Sequence, residues 1–383
     1  MKFFKAGLTV FVIVSIVAIS LFGYCDFISG GAKEKSGILK TEKDYTLWYL
    51  SDDIKYSYPV YDFATLEKAN EEAYEVSLVY EERDERLNTS GWYYPIEKGI
   101  SDDTRKVWHM EPPGYVEKKG EIRCVPESLL EKYRYDGWNI KEFSGGLYSL
   151  GEEIKEYIKG KKGSYGVYVK NLKTGQTLIL NDKQYASASI IKMFVMAGIY
   201  NELYKGNIEK TPAVEKFLHS MITVSDNYAS NYLVGVMGHK NYKEGFAREN
   251  EHSHSVGCIN TNHKSLFIGY GDYVTYGTNT VSPLDCGIML EKIYNKTLIS
   301  EEYSEEMLSL LKKQTRRYKL PYYLPKDVLC ANKTGETSTV QSDVGIVFSP
   351  NCDYIICVIT NKAPNGIENV RKISKITYDY FNK

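Results

Sequence analysis

Ser189 and Lys192 stand three residues apart in Ala188-Ser189-Ile190-Ile191-Lys192, at the head of an apolar run from Met193 to Tyr200. On a helix begun near Ser187, that spacing puts both on one face with Cβ atoms about 5–6 Å apart. A serine hydroxyl is a weak nucleophile until a neighbouring base takes its proton. A lysine amine is such a base when burial or nearby cations lower its pKa. The helix N-terminus favours developing negative charge, so the chemistry implied is acyl transfer. Ser-x-x-Lys alone is common, as Ser309-Leu310-Leu311-Lys312 in the same chain shows. The run after Lys192 is apolar nearly all round, which predicts a helix buried inside a domain.

Two tripeptides downstream change the weight of this pair. Ser225-Asp226-Asn227 interrupts two helical patterns, and Lys333-Thr334-Gly335 follows an apolar run that reads as a strand. A second serine can relay a proton, and an asparagine amide offers both donor and acceptor. Singly, the first tripeptide also fits a helix cap and Lys333 a solvated strand end. An earlier Lys173-Thr174-Gly175 precedes the serine and falls in a predicted hairpin turn, where Gly is expected for backbone reasons.

The order Ser-x-x-Lys, Ser-Asp-Asn, Lys-Thr-Gly resembles the class A β-lactamase and penicillin-binding protein family over about residues 144–383. The resemblance implies an α/β (α+β) fold, a β-lactamase/transpeptidase-like antiparallel sheet flanked by helices, with an all-helical subdomain. It implies Ser189 as nucleophile, Lys192 as its base, Ser225 as proton relay and Lys333 as the cation that keeps that relay acidic and attracts a substrate carboxylate. Asn227, Thr334, Gly335 and Glu336 would bind substrate, with an oxyanion hole from the backbone N–H groups of Ser189 and Glu336; Asp226 would tie loops together. No metal or cofactor is implied. The substrates implied are β-lactams or acyl-D-Ala-D-Ala peptides, with cell-wall peptidoglycan a further partner.

Two departures refine this. Only 36 positions separate the two serines (225 − 189), so the helical insertion walling one side of the cleft is trimmed. Class A β-lactamases also carry a glutamate on the loop before a Thr/Ser-Pro helix start, to activate the deacylating water. Counting back from Ser282-Pro283, that place falls near Leu266, with Asp272 the nearest acid. The expectation is acylation at Ser189 with slow hydrolysis of a β-lactam acyl-enzyme. The alternatives are a D,D-peptidase or penicillin-binding protein, a non-hydrolytic sensor, and an idle binding module. Only Met1 to Lys5 precede the N-terminal apolar run, which leaves a sensor no output domain.

The elements that must position these residues follow from pattern. Ser149 to Lys159 predicts a helix, and Tyr165–Val169 with Thr177–Leu180 a hairpin. Thr211-Pro212 and Ser282-Pro283 are helix starts with Pro at the first helical position, and Tyr228 to Val236 is a further helix. Residues 238–276 read as an irregular functional loop. Val328–Ala331, Val344–Phe348 and Tyr354–Ile359 predict strands, and Ile367–Phe381 a final helix.

At 383 residues the chain suits two folded parts. Lys2 and Lys5 precede a 19-residue run, Ala6 to Tyr24, read as a membrane anchor or signal peptide (residues 1–25) with the rest extracytoplasmic. Phe22, Gly23 and Tyr24 make Cys25 a poor lipidation site. A linker (26–43) then leads to an aromatic-rich α+β domain (44–143) holding Trp48, Trp92, Trp108 and Trp138. There Glu67–Glu85 has helical spacing and Glu121–Val125 reads as a strand. Residues 41–143 carry 23 acidic and 14 basic side chains (14 − 23 = −9), and residues 144–383 carry 29 basic and 24 acidic (29 − 24 = +5). The formal net charge of −1 gives no pull towards nucleic acid. Seven cysteines without Cys-x-x-Cys spacing imply neither a zinc site nor a disulfide framework.

Overall fold

Alternation along the strands accounts for a sheet covered on both faces. In the strand Tyr354–Asn361, Ile355, Cys357 and Ile359 face one core while Tyr354, Ile356 and Val358 face another. A period of two allows that division only when helices lie on both sides. The computed structural model describes residues 45–50, 57–63, 92–93, 107–111, 113–268 and 274–383.

Four strands, β1 (Tyr45–Leu50), β2 (Ser57–Phe63), β3 (Trp92–Tyr93) and β4 (Val107–Glu111), form one sheet in the order β2-β1-β4-β3. Next come β5 (Pro113–Lys118), β6 (Glu121–Pro126), helix α1 (Glu127–Tyr135), β7 (Asn139–Gly145) and helix α2 (Tyr148–Ile158). The hairpin β8 (Ser164–Asn171) and β9 (Thr177–Asp182) precedes a short β10 (Tyr185–Ala186). Four helices follow: α3 (Ile191–Tyr204), α4 (Pro212–Thr223), α5 (Asn227–Met237) and α6 (Tyr242–Ser255). A short β11 (Thr280–Val281) pairs with β10 and leads into α7 (Pro283–Tyr294) and α8 (Glu301–Lys312). The chain closes with β12 (Leu329–Glu336), β13 (Val340–Phe348), β14 (Tyr354–Asn361) and α9 (Gly366–Phe381).

The main sheet has eight antiparallel strands in the order β12-β13-β14-β8-β9-β7-β5-β6. Helices α2 and α9 cover one face, and α3 is buried from Ile191 to Leu203 at the centre of the core on the other. Helix starts are fixed by caps read directly from sequence. Thr211 accepts from Val214 N, Asp226 from Ala229 N and Ser282 from Asp285 N.

Two expectations are corrected. The boundary expected between residues 143 and 144 falls inside β7, and β5, β6 and β7 extend the sheet of the downstream part rather than closing a unit of their own. Residues 238–276 are not irregular throughout, because α6 occupies 242–255. Its buried face is Gly245, Phe246, Glu249, His252 and Ser253, polar enough to hide helical periodicity. The apolar run 6–24, Cys25, the linker, the helical spacing at 67–85 and Asp272 lie outside the described residues. Among the described residues no helix is long and apolar enough to cross a membrane. Cys258, Cys286, Cys330 and Cys357 are buried free thiols.

Candidate active site

Ser189 sits on a single turn of 3-10 helix, Ala188–Ile190, that feeds directly into α3. The turn lies against β12. A Cβ on Gly335 would come within 2.8 Å of the Ile190 side chain and 3.0 Å of Ser187 O, so only glycine lets the strand approach this closely. Ala188 and Ser225 both have left-handed backbone, φ 44° and 63°, without being glycine. Such conformations cost about 1–3 kcal/mol each and persist where surrounding structure holds them.

Lys192 and Ser189 meet as the three-residue spacing predicts, with Nζ 3.2 Å from Ser189 Oγ. Ser225, in the break between α4 and α5, places its carbonyl 2.6 Å and its hydroxyl 3.3 Å from the same amine. Asn227 Oδ1, on the first turn of α5, accepts from Lys192 Nζ at 2.6 Å. From β12, Lys333 Nζ donates to Ser225 Oγ at 2.9 Å and to Thr334 O at 2.8 Å. Ser225 Oγ therefore stands between two lysines. Asp226 caps α5, its Oδ1 accepting from Ala229 N at 3.2 Å. The two other Ser/Lys and Lys-Thr-Gly matches stay apart: Ser309 is on the exposed face of α8, and Lys173-Thr174-Gly175 turns the β8–β9 hairpin.

Electrostatics follow from burial. Lys192 and Lys333 are both fully buried. Desolvation, with Arg316 nearby, lowers the Lys192 amine to about 7, against a smaller opposing pull from Asp226. Desolvation and the neighbouring Lys192 push Lys333 well below its ordinary range. A neutral Lys192 3.2 Å from a serine hydroxyl can accept its proton.

Six residues outside the sequence motifs complete the site. Asn231, one turn beyond Asn227 on α5, clamps the loop through Nδ2 to Phe267 O and Phe267 N to Oδ1, each at 2.9 Å. This lays the Phe267 ring 4.3 Å from Lys192 Nζ. The loop position facing Lys192 is thus Phe267, one residue beyond the expected Leu266, which is buried in the core. At the neck of the loop, Asn279 Oδ1 accepts from Lys264 N and Ser265 N, both at 2.8 Å. On the β12 side, Arg316 and Tyr318 both bond Glu336 Oε1 at 2.7 Å, and Lys319 Nζ is 3.4 Å from Oε2. Burial pushes the Glu336 carboxyl up, but Tyr318, Lys319 and Arg316 together hold it below the usual range. Thr334 Oγ1, beside Lys333, is buried and makes no hydrogen bond among the described residues. Arg316 and Lys319 were visible only as a basic run ahead of Lys333, and Asn231 only as a same-face neighbour of Asn227.

The family model described as the beta-lactamase enzyme family matches residues 149–215 and 208–381. Among solved structures, PBP-A is 24% identical, covers 62% of this chain and 97% of its own, and superimposes with a TM-score of 0.54. A mutant of PBP-A has been solved as an acyl-enzyme complex with penicillin G. A β-lactamase from Sphaerobacter thermophilus is 20% identical, covers 61% of this chain and 98% of its own, and has a TM-score of 0.54. TLA-3 extended-spectrum β-lactamase is 22% identical, covers 62% of this chain and 100% of its own, and also has a TM-score of 0.54. At these identities the structures establish a shared fold. No curated protein matches the chain.

Proposed function

Because the chain belongs to the beta-lactamase enzyme family, we propose that it is an extracytoplasmic serine hydrolase that acylates at Ser189 and deacylates slowly. The carrying observation is Ser225 Oγ set between Lys192 and Lys333, with Ser189 Oγ 3.2 Å from Lys192 Nζ. Ser189 Oγ attacks the carbonyl carbon of a β-lactam or of an acyl-D-Ala-D-Ala peptide, and its proton passes to Lys192 Nζ. As the C–N bond breaks, Ser225 gives its proton to the leaving nitrogen and is resupplied from the lysines. The product is an ester on Ser189 and a free amine. Lys333, with Thr334, meets the substrate carboxylate, while Asn227 and the backbone at Gly335 and Glu336 hold the acylamino chain. Acylation of a PBP-A mutant by penicillin G supports the β-lactam half of this reading.

Deacylation needs a water made nucleophilic beside the ester. The clamped loop position over Lys192 carries the Phe267 ring, which is no base. Slow ester hydrolysis follows, and this favours a penicillin-binding or D,D-peptidase role over rapid β-lactam clearance. The connection between α3 and α4 is only residues 205–211, and a cleft wall trimmed there would suit a bulky peptide stem. Lys2, Lys5 and the apolar run to Tyr24 support a membrane-tethered, extracytoplasmic place at the cell envelope. Steady-state turnover of a penicillin by the purified protein tests the slow step. Less than about one turnover per minute is expected, and tens per second overturns it.

A further inference from the structure

Among the described residues, a side chain ahead of the family-matched region bonds directly to the active-site loop. Arg134, in the last turn of α1, is 3% exposed. Its Nη1 donates to Gly257 O at 3.0 Å, its Nη2 pairs with the Asp285 carboxylate, and its Nε is 4.0 Å from Asp182 Oδ2. Asp285, in the first turn of α7, accepts through Oδ2 from Asn260 N at 2.9 Å and Thr261 Oγ1 at 2.7 Å. Arg134 therefore fixes residue 257 directly and residues 260–261 through Asp285. From there the chain is clamped step by step to the site. Asn262 bridges to Thr280, and His263 N donates to Asn250 Oδ1 at 2.7 Å while the His263 ring pairs with buried Glu249. Asn279 then holds residues 264–265, and Asn231 holds Phe267.

We propose that Arg134 is a positioning residue: by anchoring residues 257–261 it sets how the loop lays Phe267 over Lys192, giving the segment before residue 149 a part in the reaction. This rests on the acylation reading above. A role confined to stability predicts only a lower melting temperature. A positioning role predicts more, because a loosened loop wets Lys192 and returns its amine towards its ordinary protonation. The charged groups facing Lys192 are Asp226 at the start of α5, Arg316 between α8 and β12, and Lys333 on β12. A change at Arg134 leaves all three in place.

The test uses the full chain with Arg134→Gln and, separately, Thr261→Val, which keeps Arg134 and both aspartates but removes the side-chain bond from the loop to Asp285. Hydrogen exchange of residues 257–267 should quicken about tenfold, with α3 unchanged. Penicillin acylation should slow about fivefold near pH 6 and match the wild type near pH 9, with Arg134→Lys moving the profile back. Unchanged loop exchange in the folded variants, or faster exchange with an unmoved pH profile, overturns the proposal. If Arg134→Gln does not fold, Thr261→Val decides alone. A wild type that forms no penicillin adduct overturns the acylation reading and the catalytic half of this one, while faster loop exchange would still support the anchoring half.

Discussion

At one edge of the sheet Lys192 and Lys333 are fully buried, and their hydrogen-bond partners are hydroxyls, an amide oxygen and backbone carbonyls. Towards the opposite edge Arg134 is almost as buried but lies between two carboxylates, Asp182 and Asp285. The first arrangement leaves positive charge poorly compensated, so both amines shift towards neutrality, and Lys192 beside Ser189 can then accept a proton. The second sets a guanidinium between two carboxyls that burial pushes up, Asp182 to about 6, and removing one member strands the others in a dry core. Burial alone therefore does not mark a working site. A buried cation facing neutral groups does, and one facing carboxylates ties elements together.

The widest split expected from this contrast is between Lys192→Met and Arg134→Gln. The first should slow penicillin acylation by about 10²–10⁴-fold and leave the denaturation midpoint equal or higher, since an apolar chain replaces a buried amine that has no carboxylate partner. The second should cost about 3–5 kcal/mol of stability while leaving acylation near pH 9 intact. Equal stability losses in chemical denaturation would erase the distinction. Phe267→Glu sharpens it at the loop. A carboxylate over Lys192 supplies a base for water, and acyl-enzyme breakdown followed by intact mass should quicken about a hundredfold; an unchanged lifetime would separate Phe267 from the slow step.

Protonation gives a smaller effect with a definite sign. Lys192 is lowered from 10.5 to about 7 in the folded protein. Acylation should therefore rise with pH through about 7 as the amine becomes neutral. Between about 7 and 10.5 the unfolded chain binds the proton that the folded chain has lost, so this lysine makes stability climb with pH across that window. Denaturation midpoints measured along the window should flatten in Lys192→Met. The smallest change is Thr211→Ala, which removes the cap on α4 and should cost about 1 kcal/mol without altering acylation.

What could be read in the sequence was what is local. Thr211-Pro212, Asp226 and Ser282-Pro283 name their helix starts because capping needs only neighbours along the chain. Ser189 and Lys192 meet because a helical turn brings them together, and Ser225 and Lys333 join them through motif order. The helix α6 escaped because its inward positions include Glu249 and His252, and Glu249 finds its partner His263 only in the folded loop. The loop position over Lys192 reads from sequence only as near Leu266, because the register of Phe267 is set by Asn231, 36 positions earlier. Arg134 carried no signal at all, because its partners Asp182 and Asp285 are distant in sequence and become neighbours only once β7 joins β9. For the same reason the limit of the hydrolase part could not be placed: β5 to β7 add to its sheet by pairing that no composition change announces.

The most direct measurement is intact-mass spectrometry of the purified protein after minutes and hours with a penicillin, beside Ser189→Ala. Acylation at Ser189 with slow deacylation predicts one adduct of the intact drug mass on the wild type, still present after hours, and none on the variant. An adduct that forms equally on Ser189→Ala, or drug left unconsumed with no adduct on the wild type, would contradict it.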